Sequence, residues 1–258
     1  MVNDYQNAQI SVKNLSYQVN GKAILRNISL EFGAGEIVGI LGPNGAGKTS
    51  LLKLMMRELS KSAGDVYLHN TRLENYPKKE LAKEFTYVTV AKPLDFNFTV
   101  YEIVAMGRYP YLKNFCFLSE KDTLAVDKVI KETKLHDYKH NFFNTLSQGE
   151  MQRVMIAKAL AQETKFLFLD EPIAHLDIKH QKEIIDILQT RKTQYQQGIV
   201  VVSHDINLLA RICDRVVLLK DGAVYKVGKT AEVMNKGDLE RVFETEILAS
   251  PPQLRCKD

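Results

Sequence analysis

Residues 42–49 read GPNGAGKT, a G-x-x-x-x-G-K-[ST] spacing. Backbone N–H groups of such a loop can wrap phosphate oxygens, and the helix N-terminus that follows adds a favourable dipole. Gly42, Gly45 and Gly47 let the backbone approach a ligand without a Cβ, with Pro43, Asn44 and Ala46 between them. Lys48 can reach β- and γ-phosphates, and Thr49, followed by Ser50, can ligate Mg²⁺. A flexible glycine turn is the plain alternative. Context opposes it. The apolar run EIVGIL at 36–41 enters the loop, and a helical stripe of Leu51, Leu52, Met55 and Leu59 leaves it. The stretch from Gly42 to Ser50 is therefore expected to bind a nucleotide, as it does in kinases, GTPases and transport ATPases alike.

Two further clusters narrow the chemistry. Residues 166–171 read FLFLDE, a buried-strand pattern ending in two carboxylates. In α/β proteins, ligands bind at that edge of the sheet. Asp170 suits Mg²⁺ held through water, and Glu171 is then placed to polarise a water attacking a γ-phosphate. Residues 146–153 read LSQGEMQR. Ser147 and Glu150 have capping-box spacing, which by itself predicts only a well-capped helix. The same helix start, with Ser147 and Gly149, is also able to bind phosphate.

The elements needed to position these residues are legible as α/β. Residues 10–19 and 23–32 read as strands around Asn20-Gly21, a two-residue hairpin signal. Phe85 to Val88, 166–169, 199–202 and 216–219 read as strands, and Asp221-Gly222 marks a second hairpin into 223–227. A long helical segment occupies 179–196. The middle differs. Thr99 and Glu102 open a helix, and Val126, Val129, Ile130 and Thr133 share a helical face within 121–135, with an aromatic, proline-containing stretch from Gly107 to Leu118 between them. Residues 91–150 are read as a helical insertion, with 1–90 and 151–258 forming the α/β core and its β subdomain.

The 258 residues carry 35 Lys and Arg against 31 Asp and Glu, a net +4, with 45% apolar and 26% charged residues. Such a composition is that of an ordinary folded domain, and excludes disordered, collagen-like and membrane-spanning classes. Basic residues are interleaved with acids, so no nucleic-acid partner is expected. Cys116, Cys213 and Cys256 stand far apart, as in a reducing compartment. The MVNDYQNAQI start lacks the apolar region of a signal peptide. His136 and His140 are four apart but have no apparent third ligand, so no metal site is expected there.

LSQGE resembles the signature motif of ATP-binding cassette (ABC) proteins, usually LSGGQ, with Gln148 and Glu150 departing from it. The resemblance covers nearly the whole chain. It implies a P-loop NTPase (RecA-like) core with an N-terminal antiparallel β subdomain and an inserted α-helical subdomain, forming a single cassette over 1–258. It places Tyr17 at the adenine, Asp177 of IAHLD (173–177) in the D-loop, and His204 of VVVSHD (200–205) at the γ-phosphate. ATP and Mg²⁺ are the implied cofactors, with Lys48, Glu171 and His204 catalytic and Thr49 and Asp170 on the metal. The signature residues Ser147 and Gly149 would serve the ATP of a second copy in a head-to-tail homodimer.

The run FTVYEIVAMGRYPY at 98–111 is similar to ATPases serving importers of iron–siderophore complexes, haem or cobalamin. That implies integral membrane permease subunits, a periplasmic or surface substrate-binding protein reached indirectly, and a peripheral place on the cytoplasmic side of the inner membrane. A soluble non-transport cassette and a nucleotide-binding regulator with weakened coupling are the rival readings. One position departs: where these proteins carry Pro-Gln after the strand 85–88, this chain has Thr89-Val90. Valine has no side-chain donor or acceptor, which bears on metal coordination and coupling.

Overall fold

The computed structural model describes residues 9–112, 117–174 and 176–246. Two antiparallel strands open the chain, β1 (Gln9–Val19) and β2 (Lys22–Gly33). Between them Asn20 and Gly21 have φ of 50° and 77°, as a type I′ hairpin turn requires. β3 (Ile37–Leu41) then leads into the phosphate loop. β4 (Ala63–Leu68) pairs with the other edge of β1, and β5 (Thr71–Arg72) completes a four-stranded sheet in the order β2-β1-β4-β5. This is the antiparallel unit expected at the N-terminus.

The second sheet collects β3, β6 (Phe85–Val88), β7 (Phe166–Asp170), β8 (Gly198–Val202), β9 (Arg215–Lys220) and β10 (Ala223–Lys229) in the order β10-β9-β3-β8-β7-β6. The strands from β9 to β6 run parallel, and β10 folds back through Asp221-Gly222. Every residue of β3, β7 and β8 is buried. Covered on both faces, these strands read as unbroken apolar runs rather than alternating ones. One core, including Phe32, Val38, Phe166 and Phe168, lies between the two sheets.

The first helix, α1 (Lys48–Met55), is shorter than its apolar stripe suggests. Arg57 takes φ of 59°, a left-handed turn that ends the helix, and Leu59 packs half-buried against the core from outside it. α2 (Lys78–Glu84) precedes β6. Between β6 and β7 come α3 (Val100–Ala105), α4 (Glu120–Glu132) and α5 (Gln148–Ala161), the inserted helical part. Each begins with a complete capping box: Thr99/Glu102, Ser119/Asp122 and Ser147/Glu150. The helix expected to reach residue 135 stops at Glu132; the Thr133 hydroxyl turns back to Val129 O at 2.7 Å and Lys134 is left-handed.

Val100, Ile103, Val126 and Val154 of these helices share a second core with Leu169 and Val201 of the sheet. Arg108 fastens the aromatic stretch. It is 1% exposed, bonds Asp122, Ala161 O and Glu163 at 2.9, 2.7 and 2.7 Å, and lies over the Tyr111 ring. A buried arginine needs this full set of partners, since an unpaired one is costly. The chain closes with α6 (Ile178–Tyr195), α7 (Ile206–Ile212), α8 (Thr230–Val233) and α9 (Lys236–Phe243). Cys213 is buried, and burial pushes its thiol pKa up. Cys116, Cys256 and the tail after Pro251 lie outside the described residues.

Candidate nucleotide site

The strand order builds the site. β3, β8 and β7 are parallel neighbours, so the loop after β3 and the residues ending β7 and following β8 meet at one sheet edge. Gly47 is the N-cap of α1 with φ of 94°, and a Cβ there would meet Leu25 at 2.5 Å. Its cap has no side-chain hydrogen bond, and the first turn of α1 carries no acid. The first N–H groups of that helix are thus left for an anionic ligand. Lys48 folds back over the loop and donates to Gly42 O at 2.7 Å and Pro43 O at 3.0 Å. Burial lowers the pKa of this amine, opposed by the nearby Glu171 and Asp170 carboxylates.

Asp170 ends β7 with its side chain mostly buried. Its Oδ2 accepts from Thr49 Oγ1 at 2.7 Å and from Tyr87 Oη at 3.1 Å. Two hard oxygen donors so placed fit Mg²⁺, which prefers carboxylate, hydroxyl and water oxygens. Burial raises the Tyr87 phenol pKa, with the Asp170 charge and the hydrogen bond adding to it, so the phenol remains a donor. Glu171 has φ of 53°, a left-handed conformation that turns its side chain away from the β7 line. Its carboxylate accepts from Ser203 Oγ at 3.1 Å and His204 N at 3.0 Å, and sits 2.7 Å from His204 Nδ1. The imidazole remains largely exposed.

Lys48, Thr49, Asp170, Glu171 and His204 are therefore brought together. Tyr17 lies on the first sheet. It is half-buried on β1 and pairs with Leu25, the residue packed under Gly47. Ser147 and Gly149 are placed elsewhere. Ser147 caps α5 and bonds to Glu150, and among the described residues neither signature residue hydrogen-bonds to the phosphate loop of its own chain. The ideal Cβ of Gly149 would lie 2.5 Å from the His180 ring. His180 in turn bonds Asp177 through N and Nδ1, both at 2.9 Å. The backbone N–H of His180 leads in holding the Asp177 carboxyl below the usual range.

Val90 is half-buried, and its neighbours are held from α5. Gln152 accepts from Ala91 N at 2.7 Å and donates to Thr89 O at 3.3 Å, while Gln148 donates to Ala91 O at 2.8 Å. Tyr87, Ser203, His180 and these two glutamines escape a motif-by-motif reading. Nothing in the local spacing of Gln148 and Gln152 points to residues 89–91, their partners.

Residues 25–174 match the family model described as ABC transporter. The petrobactin import ATP-binding protein of Bacillus subtilis (strain 168) is 34% identical over 92% of this chain and 94% of its own length. The iron(3+)-hydroxamate import ATP-binding protein of the same strain is 34% identical over 94% of this chain and 91% of its own. A bacterial ABC transporter cassette solved as a dimer superposes with a TM-score of 0.73 at 29% identity, over 86% of this chain and 98% of that one.

Proposed function

The chain belongs to the ABC transporter family as an ATP-binding, ATP-hydrolysing subunit, and from that premise we propose that it powers import of an iron–siderophore cargo. The relatives named for petrobactin and iron(3+)-hydroxamate import, together with the run at 98–111, support the cargo class. Integral permease subunits and a separate substrate-binding protein complete the assembly. Among the described residues no helix is long and apolar enough to cross a membrane. The ATPase acts from the cytoplasmic face, held there by the permease.

The convergence of Thr49, Asp170, Glu171 and His204 at one sheet edge carries the hydrolytic reading. Loop amides and Lys48 bind the ATP phosphates. Thr49 and Asp170 would hold a Mg²⁺ ion, which supplies charge neutralisation for the transferring phosphoryl group. Glu171 takes a proton from the attacking water as general base. His204 and Ser203 fix the rotamer of Glu171, and the exposed His204 ring faces the γ-phosphate. Tyr17 stacks on adenine. Ser147, Gly149 and Asp177 of one copy complete the site of a second copy in a two-fold dimer that closes on itself. The inserted helical part carries the motion to the permease.

Trans completion has a direct test. A Lys48→Ala and a Ser147→Arg variant are each expected to fail in ATP-driven dimerisation. Mixed together, the heterodimers contain one intact site and one site with both defects. Partial recovery of the dimer supports the reading, and a mixture no better than its parts refutes it. The cargo is tested by assembling the chain with candidate permeases and measuring ATPase stimulation by ferric siderophore-loaded binding protein.

A further inference from the structure

We propose that Gln148 is a positioning residue that couples the nucleotide site of its own chain to the start of α5. Gln148 and Gln152 stand four residues apart, on one face of the helix. Together they satisfy both backbone polar groups of Ala91 and the carbonyl of Thr89. Gln152 is 2% exposed and Ala91 3% exposed. At that depth an unmade hydrogen bond costs more than a made one gains, so the grip is strongly preferred.

The gripped segment continues β6, and β6 carries Tyr87, which donates to Asp170. At its other end the clamp begins at the first residue of α5, between Ser147 and Gly149. A shift of Asp170 when nucleotide arrives is thus passed through Tyr87 and residues 88–91 into the helix start. Val90 has no polar side-chain atom, so the amides that hold this segment come from α5 instead. The Gln148 side chain turns inward to Ala91, while Ser147 is bonded to Glu150 and Gly149 is covered by the His180 ring. This coupling rests on the composite-site reading only for its consequence in the second copy. Within one chain it stands on its own.

Amide hydrogen exchange of the full chain tests it, at a concentration where light scattering shows monomer. The probe is Mg²⁺ with adenylyl imidodiphosphate. Three forms are compared: wild type, Gln148→Met, which keeps length but removes the donor, and Gln148→Lys, which restores an N–H donor. In wild type, nucleotide slows exchange in the phosphate loop, at 87–91 and at 147–151. In Gln148→Met the slowing persists in the phosphate loop, while that at 147–151 falls by about threefold to tenfold, as loss of one part-buried hydrogen bond predicts. Gln148→Lys recovers most of it. Equal nucleotide responses at 147–151 in wild type and Gln148→Met overturn the proposal. So does a Gln148→Met form whose unliganded exchange is raised throughout α5, because that marks a purely structural role. No slowing in the wild-type phosphate loop would instead refute the nucleotide site itself, and the coupling with it.

Discussion

Thr49 Oγ1 donates to Asp170 Oδ2 at 2.7 Å although 121 positions separate the two residues. The strand order brings them together, since α1 follows the loop that leaves β3 and β7 lies one strand beyond β8. Tyr87 donates to the same oxygen from the other side. Tyr87→Phe removes only that hydroxyl. The nucleotide-free protein is expected to lose about 1 kcal/mol of stability, the typical net worth of one such bond. Nucleotide affinity measured without Mg²⁺ should not move. Urea unfolding checks the first, and a variant as stable as wild type would show that the bond contributes nothing.

Glu171 is held by three groups from the segment after β8, Ser203 Oγ, His204 N and the His204 ring. Glu171→Gln keeps the size and most of these contacts but cannot accept a proton from water. Turnover is expected to fall by roughly 10²–10⁴, the usual worth of a general base. ATP binding should persist, so an ATP-bound dimer accumulates. Steady-state ATPase and size exclusion with ATP measure both, and unchanged turnover removes Glu171 from the role.

Gly149 bears on Asp177 through His180. A methyl group on Gly149 would overlap the imidazole, whose Cγ lies 2.5 Å from the Cβ position. Gly149→Ala is expected to cost about 1–3 kcal/mol, the range for overpacking, and to loosen the cap of α6. Adding His180→Ala makes room. Thermal unfolding of the double variant should then recover most of the loss, whereas simple additivity of the two substitutions would show that the overlap is not its source.

How much of this was legible depends on range. The phosphate loop, the β7 carboxylates and both I′ hairpins are local patterns, and Asn20-Gly21 and Asp221-Gly222 turn as their residue types dictate. Strand β8, which delivers His204, was readable from its apolar run. The contact of His204 with Glu171 was not, because it needs the strand order. The box Ser119/Asp122 was a local signal that passed unread, since aspartate replaces the usual glutamate. The stripe ending in Leu59 misled for the opposite reason: its spacing is helical, but the chain turns at Arg57 and packs Leu59 from outside the helix. Gln148 and Gln152 reach residues about sixty positions away, and no short motif encodes such a pair.

The three capping carboxylates give the inserted helices an acid limit. Backbone and hydroxyl hydrogen bonds from Thr99 hold Glu102 below its ordinary value. Burial works against Asp122 and Glu150, but hydrogen bonds from Ser119 and Arg108, and from Ser147 and Tyr138, outweigh it. With folded pKa values below unfolded ones, the unfolded chain binds more protons in between. The contribution is therefore complete above the ordinary values of 4.5 and 3.8 and is lost as pH falls through the lowered ones. Stability should be insensitive to these groups from pH 7 down to about pH 5.5, on the order of a unit or more above both values. The combined Glu102→Gln, Asp122→Asn and Glu150→Gln variant should lower stability at neutral pH and shrink the difference from wild type in acid. Urea unfolding across pH decides, and a difference that grows in acid would contradict the assignment.

Val90 sits where a glutamine would be expected from the family resemblance, and its neighbours are already held by Gln148 and Gln152. Those amides link residue 91 inward to α5. They offer nothing outward, and neither does the valine side chain. Metal binding does not need an amide here, because Mg²⁺ readily keeps several waters in its shell. Thr49 and Asp170 remain to hold it. Val90→Gln is therefore expected to leave nucleotide affinity nearly unchanged and to raise hydrolysis only when the permease is present. ATPase activity of both forms, with and without permease, separates the cases. Equal activity throughout would mean that the Val90 side chain only packs beside the end of β6 and has no part in coupling. A drop on introducing glutamine would mean that the segment is already tuned around valine, with the α5 amides supplying what the glutamine now disturbs.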